Sequence, residues 1–155
     1  MRRADHYLVG AGVYIQRADG RVLLVHHAKT GAWVIPGGKA EAGESPRQCA
    51  RREAHEETGL SGRVGRLLAV QHLSPDRWWG TKYIPDAYEL FVFALDVAPA
   101  DYERVRVPEQ ELHGWGWFAP EAGLALMDAT NRVLFAAAVQ AAQSGTCCYV
   151  EDCER

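Results

Sequence analysis

The sequence lacks any long hydrophobic run. Its apolar segments are shorter than the roughly 18 residues that a membrane-spanning helix needs. Near the start, Arg2 and Arg3 precede only a short apolar segment that glycines interrupt, which is a poor match to a signal peptide. We therefore expect a cytoplasmic protein that has no membrane partner.

An excess of positive charge is also absent. The 17 lysines and arginines are outnumbered by 20 aspartates and glutamates, which gives a formal net charge of -3. Proteins that bind nucleic-acid polymers usually concentrate positive charge on one surface, so we expect no such polymer as a partner. A free nucleotide remains compatible with this composition, because a bound metal ion can supply the missing positive charge.

Familiar cysteine and histidine motifs are missing as well. Three of the four cysteines lie in the terminal segment "TCCYVEDCER", at Cys147, Cys148 and Cys153, without a CxxC pair. We interpret them as part of a reduced tail. No HExxH pattern occurs, so we interpret the histidines as surface or packing residues, including His26, His27, His55, His72 and His113.

What is present is the composition of one globular domain. The chain has 155 residues, of which 48% are hydrophobic and 24% are charged, and it contains neither an internal repeat nor a linker. We predict a single domain over residues 1–145, followed by the cysteine-containing C-terminal tail at 146–155.

The order of elements indicates an α/β protein. The runs "YLVGAGVYIQ" and "RVLLVHH" flank the turn dipeptide Asp19-Gly20 and predict a β-hairpin. Two longer strands, "RVGRLLAVQHLS" and "DAYELFVFALDVA", are separated by "PDRWWGTKYIP", a predicted loop that could cover a ligand. A short strand at 115–118 precedes a last helix from Asp128 to Gly145. This order predicts a mixed sheet between helices, in α/β/α layers.

The first helix is the best defined element. Ser45 is its expected N-cap, Pro46 its first residue, Gln48 the partner in a capping box and Gly59 the stop signal. The glycine-rich segment around Gly37 and Gly38 comes directly before it.

This helix carries three glutamates at helical spacing. Glu53 is a neighbour of both Glu56 and Glu57, which predicts that three carboxylates converge on one edge. They lie in the C-terminal half, where the helix dipole disfavours negative charge, so a merely solvated acidic face is a weaker interpretation. Clustered carboxylate oxygens instead favour a hard cation, Mg²⁺ or Mn²⁺.

These residues resemble the Nudix box, G-x5-E-x7-R-E-U-x-E-E-x-G-U, where U is apolar. Its seven fixed positions are filled by Gly38, Glu44, Arg52, Glu53, Glu56, Glu57 and Gly59, and its two apolar positions by Ala54 and Leu60. The segments "VGAGVYI", "WVIPGGK" and "WGWF" resemble the MutT-like branch of the family. The resemblance implies the Nudix fold, which agrees with the predicted layers.

The resemblance also implies roles for individual residues. Glu53, Glu56 and Glu57 would hold Mg²⁺, helped by the carbonyl of Gly38 or Gly37, and Arg52 and Glu44 would orient the carboxylates. The general base would be a glutamate of the box, Glu53 or Glu57, or one from the later segment "PEQELHG", Glu109 or Glu111. We favour a box glutamate.

Substrate contacts are harder to assign from the sequence. A nucleobase could stack on Trp33, Trp78, Trp79 or Trp115, because aromatic faces suit bases of any identity. Arg77 and Lys82 could reach phosphates. For each of these side chains the alternative is ordinary packing or solvent exposure.

The function that the resemblance implies is hydrolysis of a nucleoside triphosphate to the monophosphate and pyrophosphate with Mg²⁺. A nucleotide sugar or a dinucleotide is the alternative substrate. A nucleotide sensor without catalysis is an alternative of another class, but such a module would be expected to have damaged box glutamates. The family includes many dimers, so a homodimer is one assembly to expect, although no surface in the sequence argues for it.

Overall fold

The computed structural model describes residues 7–79 and 82–151. The strands are β1 (Tyr7–Tyr14), β2 (Val22–His27), β3 (Trp33–Val34), β4 (Gly37–Lys39), β5 (Arg63–Leu73), β6 (Arg77–Trp79), β7 (Lys82–Ile84), β8 (Ala87–Asp96), β9 (Leu112–Phe118) and β10 (Cys148–Glu151). The helices are α1 (Pro46–Thr58), α2 (Pro120–Leu126) and α3 (Ala129–Ser144), together with a 3-10 helix at Pro99–Arg104. None of the helices within these ranges has the length and apolar character needed to cross a membrane.

A five-stranded mixed sheet forms the centre of the fold. Its strand order is β10-β5-β8-β1-β4, in which β1 runs parallel to β8 and β10 parallel to β5. Two apolar clusters pack around it, one with Cys49, Ala50 and Ala54 of α1 and the other with Phe135 and Ala138 of α3. Alternate β1 residues supply both clusters, so the two helices cover opposite faces of the sheet. The predicted α/β/α layers are confirmed.

The predicted β1–β2 hairpin is only local. Near the turn, Arg17 N donates to Arg21 O at 2.8 Å, and Gln16 and Val22 form an isolated antiparallel β-bridge. Beyond this point the two strands join different sheets. β1 joins the central sheet, whereas β2 forms a smaller sheet of order β3-β2-β9. The hairpin prediction was therefore wrong for most of both strands, because an apolar run indicates a strand without specifying its partner.

The predicted ends of α1 are confirmed. The Ser45 side chain accepts a hydrogen bond from Gln48 N at 3.1 Å, and the Gln48 side chain accepts one from Ser45 N at 2.9 Å. Gly59 ends the helix with φ of 71°, a left-handed conformation that glycine adopts at little cost. These caps fix which residues of α1 face the sheet.

Two segments differ from the prediction. The expected loop at 75–85 contains β6 and β7, an antiparallel pair that places Trp78 opposite Tyr83. In the expected tail, Cys148–Glu151 form β10 beside β5, so part of this segment extends the central sheet. Cys153 lies outside the described residues. The domain boundary at residue 145 itself stays a prediction.

Replacing Ser45 with alanine should lower the free energy of unfolding by about 1 kcal/mol, because Gln48 N loses its capping acceptor. Thermal denaturation should show a melting temperature lower by about 2–4 °C. Ser61→Ala is the control, since Ser61 is exposed and makes only a 3.3 Å contact to His55. Equal stability of the two variants would contradict the assigned cap.

Candidate active site

The candidate site begins where two glycines pass close to other backbone and to α1. β4 pairs with β1 so that Gly37 faces Gly12 and Gly38 faces Ala11. A Cβ atom on Gly37 would lie 2.7 Å from Ala11 O, and one on Gly38 would lie 2.4 Å from the Glu53 carboxyl group. Gly37 therefore leaves no room for a side chain against the β1 backbone, whereas a side chain at position 38 would displace the carboxyl end of Glu53, which lies directly against the Gly38 backbone.

Glu57 is a buried carboxyl group beneath the same segment. Its side chain is 6% exposed, and its Oε2 atom accepts a hydrogen bond from Gly37 N at 3.0 Å. Burial is the main cause that raises the pKa of Glu57 to about 8; the Gly37 hydrogen bond opposes the shift, and the negative charges of Glu53, Glu111 and Glu56 add to it. Burial also raises the pKa of Glu53. Ionised carboxylates at these positions need a positive partner.

The guanidinium of Arg52 supplies positive charge to Glu53 and to two other glutamates, Glu44 and Glu56. Its Nε atom donates to Glu44 Oε1 at 2.8 Å, its Nη1 to Glu53 Oε1 at 2.8 Å and Glu56 Oε2 at 3.1 Å, and its Nη2 to Lys39 O at 3.0 Å. Hydrogen bonds from Arg52 lower the pKa of Glu44 to about 2. One guanidinium thus holds three carboxylates and one carbonyl, as the predicted orienting role requires.

The predicted convergence of three carboxylates is incomplete. Among the residues that the structure describes, no group of three His, Cys, Asp or Glu side chains is arranged to hold a metal ion. Arg52 bonds both Glu53 and Glu56, and the Glu56 side chain is 56% exposed. The carboxylates of α1 and the Gly38 carbonyl nevertheless offer oxygen donors, and a Cβ on Gly38 would fill the space beside Glu53. This chemistry fits a hard divalent cation.

A cavity of about 400 Å³ extends from this segment along the α3 side of the central sheet. Its apolar wall includes Val34, Ile35, Ile84, Leu90, Val92 and Leu134. Gly37, Gly38, Lys39 and His27 line it at the end next to Glu57, and Asn131 of α3 and Lys82 of β7 line it elsewhere. The volume and apolar character suit a small organic ligand.

Trp33, Trp115 and Arg77, which the sequence suggested as substrate contacts, do not line this cavity. The side chain of Trp79 lies outside the described part of the chain. Trp33 stacks on His26 at 4.6 Å and meets Phe118 edge-on, and Trp115 packs against the α1 cluster. Arg77 donates to backbone carbonyl groups, including Asp86 O at 3.1 Å. Packing and backbone bonding therefore occupy these three side chains.

Trp78 is exposed but faces away from the cavity. Trp78 pairs with Tyr83 across the β6–β7 hairpin, whereas the cavity is lined by Lys82 and Ile84, the neighbours of Tyr83. Successive side chains of a strand point to opposite sides, so Trp78 and Tyr83 share the outer face. Two basic residues of this hairpin, Arg77 and Lys82, were proposed from the sequence as phosphate contacts. Of these two, Lys82 lines the cavity.

Two residues outside the Nudix box, His27 and Glu111, lie near Glu57 or influence it. The Nε2 atom of His27 lies 3.9 Å from Glu57 Oε1, and burial lowers the pKa of His27. Glu111 anchors the neighbouring backbone, since its carbonyl accepts from Ala28 N at 2.9 Å, and its charge influences Glu57 and His27. From the sequence His27 was expected to be a surface or packing residue, because the histidines show no ligand spacing such as HExxH.

Comparison with known proteins assigns the family. The family model for the NUDIX domain matches residues 6–138, most of the chain. The chain belongs to the Nudix family. The resemblance noted from the box residues is therefore confirmed, and the Nudix helix is α1.

Relatives support the same assignment. An RNA pyrophosphohydrolase of Sodalis glossinidius (strain morsitans) is 33% identical over 122 residues, covering 73% of this chain and 70% of the relative. A MutT-like protein of Streptomyces ambofaciens is 42% identical over 65 residues, or 42% of each chain. A crystal structure of a MutT protein from Methanosarcina mazei Go1 matches with a TM-score of 0.72 at 22% identity, covering 92% of this chain and 99% of that one.

These findings make the chain a Nudix hydrolase of the MutT-like type, an enzyme that acts on phosphoric anhydride bonds. Nudix hydrolases generally use divalent metal ions, which agrees with the oxygen donors around Gly38. The individual metal and substrate contacts remain predictions.

Gly38→Ala should leave the fold intact but reduce activity by about 10- to 100-fold, because the new methyl group would displace the flexible end of Glu53. Activity and melting temperature should be measured together. Gly114→Ala is the matched control, since a Cβ there meets no atom within 4 Å. A Gly38 variant that keeps full activity would show that the position of Glu53 beside Gly38 is unimportant.

Proposed function

We propose that this Nudix hydrolase is a Mg²⁺-dependent pyrophosphohydrolase that converts a nucleoside triphosphate to the monophosphate and pyrophosphate. The observation that carries the proposal is the position of Glu57 and Glu53 at one end of the cavity, against Gly37 and Gly38. A nucleoside bound along the cavity would bring its phosphates to these carboxylates.

Mg²⁺, or Mn²⁺, would be held by Glu53, Glu56 and Glu57 with the Gly38 carbonyl. When bound, the cation would neutralise diphosphate charge and lower the pKa of the attacking water. Arg52 and Glu44 keep Glu53 in place by the hydrogen bonds described above, so that its rotamer is set before substrate arrives. Glu56, the most exposed of the three ligands, must exchange its bond to Arg52 for the cation.

In the reaction, the oxygen of a water molecule bonds to phosphorus, the anhydride P–O bond breaks and pyrophosphate leaves. A box glutamate, Glu53 or Glu57, accepts the proton of the water. Glu57 bonds Gly37 N and Glu53 lies beside Gly38, so both candidates are at the same end of the cavity. Glu111 is the loop glutamate whose charge influences Glu57, so it is the alternative base, ahead of Glu109.

The cavity supports a nucleoside rather than a bare phosphate compound. Its apolar wall would cover a flat base, and Asn131 offers an amide at the α3 side. Asn131 Nδ2 donates to Asp128 Oδ2 at 2.8 Å, which fixes the orientation of the amide. The remaining amide donor and acceptor would recognise polar groups of the base.

A second candidate substrate is the triphosphorylated end of an RNA. The observation in its favour is the similarity to proteins named RNA pyrophosphohydrolases, including one from Sodalis glossinidius that is 33% identical. The anhydride to be cleaved is chemically the same in a free nucleotide and at an RNA end. The formal net charge of -3 offers little attraction for a polymer, which favours the free nucleotide.

Glu57→Gln should reduce the rate of pyrophosphate release from a nucleoside triphosphate by about 10²- to 10⁴-fold, because the change removes a metal ligand and a proton acceptor. The assay should use a panel of nucleotides with Mg²⁺, with separate identification of both products. Glu121→Gln, on the exposed first turn of α2, is the control. Wild-type activity in the Glu57 variant would remove this residue from the site.

Competition between substrates should separate the two candidates. We expect kcat/KM for the best free nucleoside triphosphate to exceed that for a short triphosphorylated RNA by about tenfold or more, since a formal net charge of -3 offers little attraction for a polyanion. Both reactions should be measured at two salt concentrations. A higher kcat/KM for the RNA would replace the free nucleotide with the RNA end as substrate.

A further inference from the structure

The adjacent histidines at the end of β2 have different surroundings. His26 stacks on Trp33 with ring centroids 4.6 Å apart, and its Nε2 donates to Gly31 O at 3.0 Å. His27 instead lines the cavity beside Glu57. The pairing register between β2 and β9 shifts between the two residues, and such breaks in a ladder often redirect a side chain next to an active site.

The backbone around His27 is firmly held. His27 N donates to Ala32 O at 2.9 Å, Gly31 N donates to His27 O at 2.9 Å, and the next residue, Ala28, donates to Glu111 O at 2.9 Å. These bonds connect His27 to the turn that follows β2 and to the loop before β9. The imidazole is therefore presented from a fixed position.

The His27 ring has a donor available for a ligand. Its Nε2 atom is 3.9 Å from Glu57 Oε1, which is longer than a hydrogen bond, and within the described residues the ring makes no hydrogen bond. His27 shares the cavity lining with other side chains that can donate to an anion, among them Thr30, Lys39, Lys82 and Asn131, and of the described basic residues in this lining it is the one within 4 Å of the Glu57 carboxyl group. A diphosphate between a nucleoside in the cavity and the carboxylates of α1 would pass beside it.

We propose that His27 is a substrate-binding residue whose Nε2–H group donates a hydrogen bond to a phosphate oxygen of the nucleotide. The inference rests on the proposed function, because it needs a phosphorylated ligand that spans the cavity and α1. In this role His27 contacts the phosphate chain, while the apolar wall contacts the nucleoside. Its contribution should therefore depend on the presence of phosphates.

The test compares His27→Ala with His27→Gln, which keeps an N–H donor at similar reach. Binding of a non-hydrolysable α,β-methylene nucleoside triphosphate and of the corresponding nucleoside should be measured by calorimetry with Mg²⁺. We expect His27→Ala to weaken binding of the triphosphate analogue about tenfold, the value of one hydrogen bond to a charged group, and to leave nucleoside binding unchanged. His27→Gln should recover most of the loss.

Two controls separate this role from a structural one. His55→Ala changes a histidine on the outer face of α1 and should bind the analogue as the wild type does. Mn²⁺ binding without nucleotide, followed by electron paramagnetic resonance, should be the same in His27→Ala and the wild type. Weaker Mn²⁺ binding in His27→Ala would overturn the proposal, because His27 would then act by positioning Glu57.

The proposal also fails if His27→Ala binds the analogue as tightly as the wild type, or if it loses affinity equally for the nucleoside. Either result leaves the proposed function intact when the wild-type enzyme cleaves a nucleoside triphosphate. If the wild type cleaves no nucleotide in the panel, the proposed function fails by itself. If the wild type also fails to bind the analogue, both inferences are overturned.

Discussion

The site depends on the close approach of the Gly37–Gly38 backbone to one side of α1. At Gly38 a side chain would displace the carboxyl end of Glu53, since a Cβ would lie 2.4 Å from this group. At Gly37 it allows the backbone N–H to bond a carboxyl group that is almost entirely buried. Two contacts set this geometry: β4 pairs with β1, and Cys49, Ala50 and Ala54 pack α1 into the apolar cluster on the sheet.

Electrostatics divides the glutamates of the site into two kinds. Glu44 is satisfied by Arg52, and hydrogen bonding to the guanidinium holds its pKa near 2. Glu57 has one backbone donor, and burial raises its pKa to about 8. A protein could avoid this unfavourable arrangement by exposing the carboxyl group or pairing it with arginine. A buried carboxyl group at this position is explained if the functional enzyme binds a cation beside Glu57.

The layers of the fold separate two tasks. The carboxylates come from the helix on one face of the central sheet, whereas the cavity lies on the face covered by α3. Gly37, Gly38, Lys39 and His27 lie where the two regions meet. The lining of the cavity and the carboxylates of α1 can therefore vary independently, which fits a family whose members differ in the compound that they cleave.

The sequence alone determined the helix that carries the box, because caps, helix period and glutamate spacing are local properties of neighbouring residues. It also determined the α/β layers and the family, and it indicated an oxygen-ligated cation. Partner choice among strands was decided only by tertiary structure, as the separation of β1 from β2 illustrates. The residues that line the cavity were likewise decided only by the tertiary structure. Trp33 and Trp115 were used for packing and Trp78 faced outward, whereas His27 and Asn131 reached the cavity, because residues distant along the chain line a cavity only after the sheet and α3 have packed together.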